Sequence, residues 1–95
     1  MKTFSVKVNV VDVSGKGYDV SVYVFGEGKT WGDITVAYDR CGDDESMFVY
    51  DGHINTSDPG EGPVEEYATR EDAFGSEYGW AFEIASVIAD KVIGK

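Results

Sequence analysis

Four carboxylates fall within seven residues, at Asp39, Asp43, Asp44 and Glu45. Acids so spaced have three possible uses: holding a hard cation, general acid–base work, or presenting fixed negative charge to a cationic surface. Hard cations take six or more oxygens, and this segment lacks the alternating Asp pattern of a calcium loop, so no metal is expected. Paired carboxylates also hydrolyse glycosides, but eighteen acids in 95 residues supply pairs at almost any spacing, and the pattern loses its meaning. Cys41 and His53 are the sole cysteine and histidine. A thiol–imidazole dyad needs a third group to orient the base, and no nucleophile-elbow motif surrounds Cys41. There is no P-loop, no dinucleotide-binding glycine pattern and no zinc-ligand spacing. The expectation is a binding protein without cofactor, not an enzyme.

The charge has a location as well as a size. The net charge is −10, from 18 acidic and 8 basic residues. Between Asp33 and Glu77 lie 13 acids and two bases, Arg40 and Arg70, whereas the other 50 residues carry five acids and six lysines. A field of this sign repels phosphates and anionic lipid and attracts cationic protein surfaces. Adaptation to a salty cytoplasm would spread acid evenly, yet the first 32 residues hold three acids and four lysines. Direct nucleic-acid or membrane binding is therefore not expected. The anticipated partner is a basic nucleic-acid-binding protein.

The elements that must carry these acids follow from periodicity. Phe4, Val6, Val8 and Val10 alternate with polar residues, as do Tyr18, Val20, Val22 and Val24, with a Ser14–Gly17 turn between them. Period two with a short glycine-containing connection marks a β-hairpin. Val11 and Val13 break the alternation and suggest a bulge or a strand end. Strands are expected at about 3–12, 18–26, 33–40 and 47–54, with a turn over Cys41–Ser46, a loop over 55–63, and Val64–Ala68 as a candidate fifth strand. Phe74, Tyr78, Ala81, Ala85, Ile88 and Val92 then recur at helical spacing. The spacing predicts one long amphipathic helix over about 70–93, with Thr69 as N-cap and Gly94 just past the end. Gly75 and Gly79 each cost a helix about 1 kcal/mol relative to alanine and are the places where it would break. The expected fold is α+β: an antiparallel meander of four or five strands in a single domain, 1–95, with the helix on one face.

On that scaffold Asp43, Asp44 and Glu45 would stand together on a turn tip, with Asp39 and Asp51 on the flanking strands. Glu65, Glu66, Glu71 and Asp72 would extend the acidic surface to the start of the helix. The aromatics Tyr23, Phe25, Trp31 and Trp80 fall off the main apolar face and are candidate interface anchors. One cysteine excludes an internal disulfide and suits a reducing compartment. No apolar run of signal-peptide length follows Met1. A bacterial cytoplasmic protein, monomeric or homodimeric, is expected.

The opening meander (Phe4–Val10, Tyr18–Phe25), the acidic stretch Asp39–Glu45 and the helix Thr69–Val92 together resemble the small phage-encoded inhibitors of bacterial defence, above all anti-CRISPR proteins. The resemblance is one of type, carried by the whole chain and by no diagnostic motif. It implies binding to a CRISPR effector complex and blocking of its DNA-binding surface, in the manner of a DNA mimic. Two other readings remain open at this level: an immunity or antitoxin partner of a basic nuclease, and a small metal-binding or housekeeping domain whose acids are merely solvated.

Overall fold

Valines alternating with polar side chains favour extended backbone, because a β-branched side chain packs well on a pleated surface and poorly against a helical turn. The computed structural model describes residues 3–15, 17–27, 33–58 and 60–94; Trp31 lies outside them. The elements are β1 (Thr3–Val13), β2 (Gly17–Glu27), β3 (Ile34–Cys41), β4 (Asp44–Asp51), β5 (Glu65–Tyr67), α1 (Arg70–Phe74) and α2 (Gly79–Ile93). All five strands form one antiparallel sheet in sequence order. The expected α+β meander is present, with the fifth strand formed and α2 packed on one face over β2 and β3.

Register sorts the side chains into two faces. The helix-covered face carries four cross-strand rows: Phe4–Gly26–Ile34–Asp51, Val6–Val24–Val36–Val49, Val8–Val22–Tyr38–Met47–Tyr67 and Val10–Val20–Arg40–Glu45. The core sits between the β2–β4 part of these rows and the helix residues Ala81, Phe82, Ala85 and Ala89. Alanines four residues apart share one side of a helix and let its backbone lie close to the sheet. Among the described residues of α2, Phe82 is the large side chain that is fully buried, with Trp80, Ile84 and Ile88 packed partly against the core around it.

The opposite face is covered at one end only. The chain leaving β4 crosses it: Gly52 N–H donates to Asp33 O, Thr35 Oγ1 donates to Gly52 O at 2.7 Å, and Lys7 Nζ donates to Thr56 Oγ1 at 2.7 Å. This cover explains why β3 is buried on both faces, Thr35 and Ala37 included. It also half-buries Phe25, whose ring meets His53 edge-on.

Two sequence expectations are corrected. The helix is not continuous over 70–93. It stops at Phe74 and restarts at Gly79. A Cβ on Gly79 would stand 2.0 Å from the Phe74 carbonyl oxygen, so the reversal between the two helices admits only glycine there. The Cys41–Ser46 turn contracts to Gly42-Asp43, and strand β4 spans Asp44–Asp51 in place of 47–54. Gly42 has φ +62° at the first central position, the backbone of a tight type II′ hairpin turn. Of the two readings of Val11 and Val13, the strand end holds: β1 ends at Val13, and its pairing with β2 runs without a skip from Thr3↔Glu27 to Val13↔Gly17. Thr69 and Gly94 cap as expected: Asp72 N–H donates to Thr69 Oγ1 at 3.1 Å, and Gly94 closes α2 in the left-handed region.

Candidate acidic interface

A two-residue turn changes what the acidic stretch can do. Strand β4 begins at Asp44, and successive side chains in a strand point to opposite faces. Asp43 and Asp44 are exposed, at the hairpin tip and on the open face respectively. Glu45 turns the other way, toward the helix side. The three consecutive acids therefore do not form a single tip.

Glu45 belongs to an ionic network. It accepts hydrogen bonds from the Tyr38 hydroxyl and from Arg70 Nε, and Arg70 Nη2 donates to the Tyr38 oxygen at 2.8 Å. Arg40, almost fully buried on the same face, pairs with Asp90 of α2, and Arg70 approaches Asp90 at 3.6 Å. Burial, and then the hydrogen bond to Glu45, push the Tyr38 phenol up to about 12. This network ties β3, β4, α1 and α2 together. Both arginines of the acidic stretch are consumed inside it, so twelve of the thirteen acids between Asp33 and Glu77 stand outside their local neutralisation.

The open face carries the acids that do come together. Asp39 lies opposite Ser21, whose hydroxyl donates to it at 3.1 Å, and the next row places Asp19 opposite Cys41, with Asp44 beyond. Burial, and then a hydrogen bond and like charge from Asp19, raise the Asp39 carboxyl to about 6. Asp19 Oδ1 is buried with no hydrogen-bond partner among the described residues. Asp43 at the hairpin tip completes a cluster of four acids at one end of the sheet, formed by β2, β3 and the start of β4.

The other anticipated residues are scattered. Asp51 is exposed at the far end of β4. Glu65 and Glu66 are exposed on opposite faces of β5, opposite Val49 and Phe48. Glu71 and Asp72 are exposed in the first turn of α1. Asp19 was missed, because it lies outside the acid-rich stretch. The hairpin register alone brings it to Asp39, and the signal was the period-two alternation of β2 continued across to β3.

The Cys41–His53 dyad is not assembled. Cys41 pairs with Asp19 at one end of β2, whereas His53 Nε2 lies 3.2 Å from the Gly26 carbonyl at the other end. Seven strand residues separate those levels, roughly 23 Å at the usual rise. A shallow pocket of about 330 Å³ beside Tyr50, Asp51, His53 and Glu61 opens at this end, away from the acidic cluster. Among the described residues no group of three potential ligands converges on a metal position, and no helix is long and apolar enough to cross a membrane. No family model, no curated protein and no solved structure matches this chain.

Proposed function

We propose that this chain is an acidic inhibitor that binds the nucleic-acid-binding surface of a basic protein, a CRISPR effector complex in the first instance, in place of DNA. One observation carries the reading: Asp19, Asp39, Asp43 and Asp44 are fixed on paired strands and a tight turn while both local arginines are paired with other acids, Arg40 with Asp90 and Arg70 with Glu45. Phosphate-binding proteins present Lys and Arg at set spacings. A rigid row of carboxylates engages such a row without first losing conformational freedom. Glu45 serves this surface as scaffold, holding β4 to α1.

The test is competition. The purified chain is titrated against an isolated CRISPR effector complex and its labelled duplex target, beside the variant Asp43→Lys/Asp44→Lys. Displacement of DNA by the wild-type chain is expected, weakening at least tenfold in the variant and falling steeply as salt rises from 50 to 200 mM. Both positions are exposed, so the variant should melt within a few degrees of wild type. Equal displacement by both proteins, or none by either, would sink the mimic. Displacement from a basic nuclease but not from an effector complex would select the immunity-type partner.

A further inference from the structure

Strand β5 is short, and a pocket opens beside it. It pairs with β4 only from Met47↔Tyr67 to Val49↔Glu65, and among the described residues nothing pairs with the outer side of β4 at Glu45 and Ser46. The pocket is shallow, about 310 Å³, and Glu45, Ser46, Phe48 and Glu66 are among the residues that line it. Register places Phe48 directly opposite Glu66 on the open face. Phe48 is half-buried, and Glu66 is exposed and meets no cation among the described residues. Ser46 continues this face toward its cross-strand partner Asp39 and toward Asp44. The pocket is thus one end of a surface whose other end is the acidic cluster.

The helix-covered face shows what such a pair of groups holds. There Arg70 lies over the Tyr38 ring, 5.8 Å from its centroid, and donates through Nε to Glu45. A guanidinium is flat and weakly hydrated, so it stacks on an aromatic ring while its edge pairs with a carboxylate. Phe48 and Glu66 offer ring and carboxylate again, on neighbouring strands of the other face. Charge sets the sign of the occupant. The charged residues lining the pocket are Glu45, already paired with Arg70, and Glu66. Among the described residues of the strands the open face carries one cation, Lys7 of β1, and it donates to Thr56.

We propose that this pocket receives an arginine side chain of the cationic partner, its guanidinium stacked on Phe48 and paired with Glu66. The proposal rests on the reading of the open face as a partner-binding surface and adds a reason for that surface to select arginine over lysine. An ammonium is a compact, strongly hydrated point charge and gains less from a ring. Phe48 and Asp44 stand four residues apart on β4, roughly 13 Å at the usual rise. An extended segment lying along β4 sets one basic side chain over Phe48 and another, four residues away, beside Asp44.

Two short peptides test it against the full chain: acetyl-Arg-Gly-Gly-Gly-Arg-amide and its lysine counterpart, each titrated into isotope-labelled protein and followed by NMR. The arginine peptide should bind at about 1 mM and roughly threefold more tightly than the lysine peptide. It should move the amide signals of Phe48 and Glu66 as well as those of Asp43 and Asp44. Phe48→Leu should erase the preference, and Glu66→Gln should weaken the arginine peptide roughly threefold. Glu66 is exposed, so the second variant's melting curve should match wild type. No binding up to about 20 mM, equal affinity for the two peptides, no shift at Phe48 and Glu66, or a preference that survives both variants overturns the pocket. Failure of the DNA-mimic reading looks different. The duplex competition then shows no displacement, while the arginine preference and the shifts at Phe48 and Glu66 remain and the pocket stands.

Discussion

Val22 and Val8 are the same residue on the same face of the same sheet, directly opposite each other in adjacent strands. One is fully buried and the other 38% exposed. Nothing in their own strands separates them. The difference is made by a helix that covers β2 and β3 and leaves β1 open. A hydrophobic pattern thus specifies which face a residue takes, while the width of the covering layer decides whether that face becomes core or surface.

The comparison breaks most severely if the cover itself is weakened. Phe82 is the large plug between α2 and the sheet. Phe82→Ala should cost about 3–5 kcal/mol and make the two valines alike, which hydrogen exchange at β2 amides would show as lost protection. A milder probe sharpens it. Val22→Thr buries a hydroxyl with no partner and should destabilise by about 1–3 kcal/mol. The same change at Val8 meets water and should stay within about 0.5 kcal/mol. Denaturant melts of the two isosteric variants, in dilute solution, measure the contrast. Equal losses would mean that β1 is as covered as β2.

The smallest effect concerns the acidic end, where the opposite face is left uncovered. Asp39 is raised to about 6 from an ordinary 3.8, so the folded state binds its proton more tightly than the unfolded chain does. The stability this proton confers is full below about 4 and lost as pH rises through 6. Asp39→Asn should therefore raise the melting temperature relative to wild type at pH 7.5, with the gap closing by pH 4. Because Asp39 is partly solvated, a shift of a few degrees at most is expected. A gap independent of pH would remove the account of a raised Asp39 carboxyl.

How much of this was legible beforehand depends on how locally each feature is determined. The strands, their antiparallel order and the two caps follow from neighbours a few residues apart. On α2 the expected stripe through Ala81 and Ala85 is the buried side, whereas Ala89 and Ser86, which complete it, carry too little hydrophobic weight to show in the pattern. The larger Ile88 and Val92 draw the end of the stripe about one residue around the helix: Ile88 packs partly against the core, and Val92 is exposed. The acidic cluster was half visible. Asp43 and Asp44 stand out by the density of acids in the sequence, whereas Glu45 reads as a surface acid until register turns it toward Arg70. Asp19 becomes visible only once β2 and β3 are aligned.

The meander also sets a timetable. Each strand pairs with its neighbours in sequence, so short loops close early and the sheet can assemble hairpin by hairpin as the chain leaves the ribosome. Its lock comes much later: Arg40 meets Asp90 fifty residues on. At typical synthesis rates the stretch from the end of β4 to the end of α2 takes roughly two to eight seconds to appear. Through that interval the valine face of β2 and β3 is as naked as β1 remains in the finished monomer, and the nascent chain is at its stickiest just before its last helix arrives.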